Sequence, residues 1–242
     1  MKKQQINDIQ DKVKIKSKVV MENEDNIIKI LRSNESDSFC KLYEKLKKEK
    51  KVSDKVLKEI LKLADNLDNR LFQGEFLEEF EYFTSSHLQI IESFILQRIY
   101  DKDCIFVSSL IECANFNNIL SIYDICLEFI KRRRNFAIVS AALCYVFEHI
   151  NFHDIHRIVA VFNRVLNNKK YYQNCQILAS FFLFRITMNV KYFDFLKSLI
   201  LEGGENNRIV LDNILNRMDY NSKKYFNYYD QMQELVSKLG GE

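Results

Sequence analysis

Not one proline occurs in this 242-residue chain, and it has only five glycines. An average composition would supply ~12 prolines at this length. The two residues that usually punctuate secondary structure are therefore close to missing, and that constrains the fold more than any motif does. Sandwiches built from many tight turns draw on both, which disfavours an all-β fold. Collagen-like and Pro/Gly-rich disordered chains are excluded, and 47% hydrophobic residues supply a core that a disordered chain lacks. What remains is a set of helices ended by some other residue.

Asparagine can serve. It tolerates the left-handed conformation beyond a helix C-terminus, and its side chain caps N-termini. From mid-chain onward Asn recurs at 118, 135, 151, 168, 189, 206 and 221, at intervals of 17, 16, 17, 21, 17 and 15 residues. Each interval accommodates one helix of roughly 12 to 16 residues and a short turn. Helices are predicted at Cys104–Phe116, Ile119–Arg134, Phe136–Ile150, His153–Leu166, Tyr171–Met188, Tyr192–Leu201, Arg208–Tyr220 and Tyr225–Leu239. Upstream, Ser86-His87-Leu88-Gln89 has capping-box spacing ahead of the stripe Ile90, Ile91, Phe94, Ile95 and Ile99, with His87 expected to be exposed. Ser53 is expected to cap Lys55–Leu67, and Phe72–Phe83, Asn26–Arg32 and Phe39–Lys48 are further helix candidates.

Two helices per unit give a repeat of about 33 to 38 residues, over 85–117, 118–151, 152–189 and 190–221. In this period and apolar pattern the chain resembles HEAT- and armadillo-like α-solenoids across roughly residues 53–239. The Trp-Leu-Gly-Tyr framework of tetratricopeptides and the Thr-Pro-Leu-His of ankyrin repeats are absent. The resemblance implies an all-α fold, a right-handed superhelix of antiparallel helical hairpins over 51–242, preceded by a Lys-rich N-terminal arm at 1–50. It also implies an extended surface for a large partner, and no residue pattern in the chain calls for a cofactor. A compact helical bundle satisfies the same apolar pattern.

The net charge of +3 conceals large blocks. Residues 1–58 carry 16 basic and 10 acidic side chains, and residues 59–128 carry 4 and 13. Residues 129–191 carry 10 and 2, and residues 192–242 carry 6 and 8. A single-sign block creates a field that a mixed surface does not. The basic block holds Lys131, Arg132, Arg133, Arg134, Arg157, Arg164, Lys169, Lys170 and Arg185. Arg157 and Arg164, seven apart, fall on one helix face as a polar strip, and Arg forks suit phosphate or carboxylate. Lys131–Arg134 at a helix C-terminus also complements the helix dipole without any ligand, and the acidic block could neutralise the basic one. The arm adds Lys2, Lys3, Lys12, Lys14, Lys16 and Lys18, and Tyr171 and Tyr172 beside Lys169 and Lys170 would suit base stacking.

Catalytic equipment is sparse. No glycine-rich phosphate loop and no serine-hydrolase elbow is present. His149, His153 and His156 would share a face only on one continuous helix, and Asn151 is expected to break it, so no metal site is predicted. The cysteines at 40, 104, 113, 126, 144 and 175 form no C-x-x-C pair and read as free thiols, five of the six within apolar helical patterns. No signal-peptide core and no run of about 18 apolar residues occurs, which points to the cytoplasm or nucleus without membrane insertion. The expected function is non-catalytic: docking onto a large RNA–protein assembly, with rRNA phosphates among its contacts, as a ribosome-associated or regulatory factor. A protein-only scaffold or adaptor in a coat, transport or other multiprotein complex is the other reading. No small-molecule substrate is evident.

Overall fold

The computed structural model describes residues 24–30, 32, 53–63, 85–203 and the single positions 210, 231 and 234. The helices expected at Phe39–Lys48, Phe72–Phe83, Arg208–Tyr220 and Tyr225–Leu239 lie outside these or contribute only single positions, and the arm Lys2–Lys18 and Cys40 lie outside them. All regular structure among the described residues is helical. The chain divides into two compact units, Met1–Tyr100 and Asp101–Glu242.

In the first unit, α1 (Asp54–Leu63) starts at Ser53, whose Oγ accepts the Val56 N–H at 3.3 Å. Val56, Leu57, Ile60 and Leu61 are buried at helical spacing, as are Ile27 and Ile28 of the helical segment 24–30. Lys55 pairs with Asp25 at 2.9 Å and Arg32 with Glu59 at 3.0 Å, fastening that segment to α1. Helix α2 (Ser85–Arg98) packs on α1 and buries Ile91 and Ile95. Its beginning differs from the expected capping box. Ser86 lies inside the helix, and its Oγ donates to Asp54 Oδ1 at 3.1 Å. His87 is buried rather than exposed, because its Nε2 is held 3.0 Å from the same carboxylate oxygen.

The second unit contains α3 (Cys104–Phe116), α4 (Tyr123–Arg132), α5 (Phe136–Glu148), α6 (Ile155–Leu166), α7 (Gln173–Thr187) and α8 (Val190–Gly203). Its helix ends are built largely from Asn and Asp. Asp103 Oδ1 accepts the Ile105 and Phe106 N–H groups at 3.0 and 3.2 Å. Asn118 takes the left-handed conformation (φ 54°) after α3, and Asn135 caps α5 through the Ile138 N–H. Asn151, Asn168 and Asn189 each accept the N–H two residues on, the Asx turn that competes with helix continuation. Asn206 and Asn221 lie outside the described residues.

Three helices begin later than the apolar pattern suggests. Ahead of α4 and α6 stand 3-10 turns at Leu120–Ile122 and Phe152–Asp154. Helix α7 starts at Gln173 rather than Tyr171, because the Tyr171 side chain is buried and its hydroxyl donates to the Ile130 carbonyl at 2.6 Å. At the far end of α7 the left-handed residue is Met188 (φ 54°), with Asn189 committed to the Lys191 N–H.

Helix α5 packs on α3 and α7, α4 packs on α5 and α6, and α7 packs on α6 and α8. Helices α5 and α7 are apolar on nearly every face, and every residue of 177–184 is buried. Phe147 stacks on Phe182 at 4.2 Å, and Phe184 meets Phe193 at 5.3 Å. Two buried hydroxyls reach main-chain carbonyls: Tyr145 donates to the Ile119 carbonyl and Ser180 to the Tyr192 carbonyl. Two side-chain contacts repeat one register. Asn115 Nδ2 donates to Glu148 Oε2 at 2.6 Å, and Arg157 Nη1 donates to Asp124 Oδ1 at 2.7 Å, each across 33 residues. Among the described residues no helix is long and apolar enough to cross a membrane. No disulfide joins the five described cysteines, and burial pushes the Cys175 thiol up to about 12 and raises the Cys126 thiol as well.

Candidate functional site

The end of α4 and the turn between α6 and α7 meet around Tyr171. That ring is 4% exposed. The turn is set by Asn168, whose Oδ1 accepts the Lys170 N–H at 3.0 Å and whose carbonyl accepts the Tyr171 N–H at 3.0 Å. Arg134 lies over the Tyr171 ring with its guanidinium carbon 4.3 Å from the centroid, and its Nη1 donates to the Tyr171 hydroxyl at 2.8 Å. The same nitrogen donates to the carbonyls of Lys131 and Arg133 at 3.1 and 2.7 Å, satisfying acceptors that the end of α4 leaves open. Burial raises the Tyr171 phenol above its ordinary range, and the positive charges of Arg134 and Arg164 pull against that shift. Arg164, near the end of α6, therefore belongs to the same neighbourhood.

The structure sorts the nine basic residues read from the sequence. Lys131 and Arg132 both pair with Glu128 at 2.9 Å, and Lys131 above all holds that carboxyl below the usual range. Arg157 pairs with Asp124, near the start of its helix and of α4. Arg157 and Arg164 stay on one helix, both exposed and ~10 Å apart along its axis, and of the two it is Arg157 that carries an acidic partner. Arg185 is half-buried, 5.8 Å from the Phe147 and Phe181 ring centroids. Arg133, Arg164, Lys169 and Lys170 are exposed and have no carboxylate partner among the described residues. The Arg133 guanidinium carbon lies 5.5 Å from the Phe129 ring centroid, which directs the chain at the end of α4.

Of the two tyrosines, Tyr171 is structural and cannot receive a base, since its ring is buried beneath Arg134. Tyr172 is 61% exposed and meets Phe136, itself 40% exposed, with ring centroids 6.2 Å apart and planes at 68°. Phe136 was not singled out by the sequence reading. The run Arg132-Arg133-Arg134-Asn135-Phe136 carries the available signal, an aromatic residue directly after a basic run and a helix cap.

Other features carry less chemistry. Helix α5 ends before Asn151, so His149 closes it, with its ring 4.6 Å from that of Tyr145, while His153 and His156 are exposed on the next segment. No cluster of three metal-ligating side chains occurs among the described residues. In the first unit α1 and α2 border an open groove of about 570 Å³, where Lys58, Lys62 and Arg98 mix with Leu61, Ile90 and Phe94 and no His or Cys takes part. No protein-family model, curated protein or solved structure matches this chain.

Proposed function

We propose that this chain is a non-catalytic helical-repeat binding protein that docks onto a polyanionic face of a large RNA–protein assembly, such as the ribosome, as an associated or regulatory factor. The observation that carries the reading is the basic edge around Tyr171, where Arg133, Arg164, Lys169 and Lys170 are exposed without carboxylate partners among the described residues. Arg134 serves as the bracket that holds the two chain segments together. A field of one sign on one edge draws in a polyanion and is strengthened by counterion release.

The finer architecture belongs to the same proposal. Two contacts that each span 33 residues, and helices that touch their second neighbours as well as their first, support a stack of antiparallel hairpins of the HEAT/armadillo kind. In such a stack the ends of α4 and α6 fall on one rim, which turns separated basic runs into a continuous surface.

A pull-down from lysate, split into nuclease-treated and untreated halves, tests the reading. RNA–protein particles are expected only in the untreated half and are lost as salt rises. Retention of the same partners after nuclease and at high salt would overturn it in favour of a protein-only scaffold.

A further inference from the structure

We infer that the basic edge of the second unit is a site for unpaired nucleotides, in which the exposed face of Tyr172 stacks a base while Lys169, Lys170, Arg133 and Arg164 hold the flanking phosphates. The inference rests on the polyanion reading above and narrows it to single-stranded nucleic acid.

Two properties of the edge support this beyond charge. The first is the aromatic pair. Tyr172 and Phe136 are contributed by the two segments that Tyr171 and Arg134 clamp together, so their relative placement is fixed by buried contacts rather than by the surface itself. A contact with planes at 68° occupies at most one face of the Tyr172 ring, and 61% exposure leaves the other accessible. Every base presents a π-face, so such a ring accepts a nucleotide without sequence preference.

The second property is the layout of charge around the pair. Lys169 and Lys170 immediately precede the tyrosines in the chain, and Arg133 lies three residues before Phe136. Along the chain each ring therefore has exposed cations within three residues of it, on both segments. In a duplex the bases are already stacked and only phosphates face outward, so a stacking ring gains nothing. An acidic peptide would use the cations and leave the rings idle. Only an unpaired strand engages both.

Fluorescence anisotropy with labelled oligouridylate, a duplex RNA of equal length, and oligoglutamate of equal charge tests the inference on the full chain at low salt. Oligouridylate is expected to bind most tightly. Tyr172→Ala should weaken it about tenfold, Tyr172→Trp should restore it, and duplex affinity should stay within about twofold. The pair Lys169→Glu and Lys170→Glu should weaken both RNAs. Exposed Tyr172 is no core residue, and an unchanged thermal unfolding midpoint verifies that the alanine variant folds. Equal binding of oligouridylate by wild type and Tyr172→Ala overturns the inference and leaves the basic-edge reading standing, as does equal or tighter binding of the duplex. Oligoglutamate binding as tightly as oligouridylate overturns it in favour of an acidic protein partner. Failure of all three ligands to bind would remove the polyanion reading itself.

Discussion

Arg157 Nη1 meets Asp124 Oδ1 at 2.7 Å across 33 residues of chain. The pair joins the opening turns of α6 and α4, two helices that pack against each other. Asp124 belongs to the acidic stretch of the sequence and Arg157 to the basic one, so part of the charge that segment counts attribute to two opposed surfaces cancels within the molecule. Glu128 does the same for Lys131 and Arg132. What remains is a smaller positive surface, concentrated at one edge.

This division predicts different behaviour for two arginines on one helix. Arg157→Glu sets two carboxylates together, and because the pair is open to solvent on the Asp124 side the stability loss should stay at about 1 kcal/mol, recoverable with Asp124→Arg. Its effect on oligouridylate binding should be small. Arg164→Glu should leave urea unfolding nearly unchanged yet weaken binding severalfold, and should make the log-log salt dependence shallower by about 0.7 or more. Urea titration and anisotropy across a salt series separate the two. Equal losses of binding in both variants would mean that pairing with Asp124 does not withdraw Arg157 from the strip it forms with Arg164.

Tyr171 predicts a second separation. Its hydroxyl donates to the Ile130 carbonyl and accepts from Arg134, so Tyr171→Phe leaves that buried carbonyl short of a partner at a cost of about 1–3 kcal/mol, while Arg134 keeps the Lys131 and Arg133 carbonyls. Burial raises the phenol above the ordinary value of 10.0, so the folded chain retains a proton that the unfolded chain loses first. The associated stability is fully present below about 10 and is lost as the pH rises beyond it. Urea midpoints measured on the alkaline side should fall for the native chain and fall less for Tyr171→Phe.

Much of the helical layout was legible in the sequence because punctuation by Asn is local chemistry. Asn118, Asn135, Asn151, Asn168 and Asn189 each act at the helix end where they were expected, through a left-handed φ or a side-chain oxygen. Helix α3 matches residue for residue, and the apolar runs 137–147 and 177–184 supply core helices. The site was legible only in outline. Which cations remain available depends on partners 3 to 33 residues away, such as Glu128 and Asp124, and periodicity on one helix cannot report them. The burial of Tyr171 has the same origin, since it depends on a carbonyl 41 residues earlier. His87 was misread because Asp54, on another helix, decides its environment.

Glu59 gives the first unit an acid limit. Hydrogen bonds from Arg32 and then Lys62 lower its pKa from 4.5 to about 2. A carboxyl whose folded value is depressed contributes stability that is present above 4.5 and disappears as the pH falls toward about 2. Glu59→Gln should therefore flatten the stability profile within that window while changing little at acid extremes, where the native carboxyl is itself protonated. Chemical-shift titration of the Glu59 side chain measures the midpoint directly, and a value near 4.5 would show that Arg32 and Lys62 do not hold it.

Met188 closes α7 with φ 54° and ψ 23°, a conformation that Gly adopts freely and that costs other L-residues about 1–2 kcal/mol. Its N–H donates to the Phe184 carbonyl at 2.7 Å, so the geometry satisfies an acceptor that the helix end would otherwise leave open. Asn189, the residue with the better intrinsic fit, is committed to starting α8 through the Lys191 N–H. Met188→Gly should therefore be neutral to stabilising, since relief of the left-handed strain offsets the added freedom of the unfolded chain and the lost side chain. Met188→Ile should lose about 1 kcal/mol or more, because a β-branched residue fits this region worst. Urea unfolding of the two variants against the native chain ranks them. An isoleucine variant as stable as the glycine variant would mean that position 188 leaves the left-handed region at little cost, and that Asn189 can terminate the helix alone.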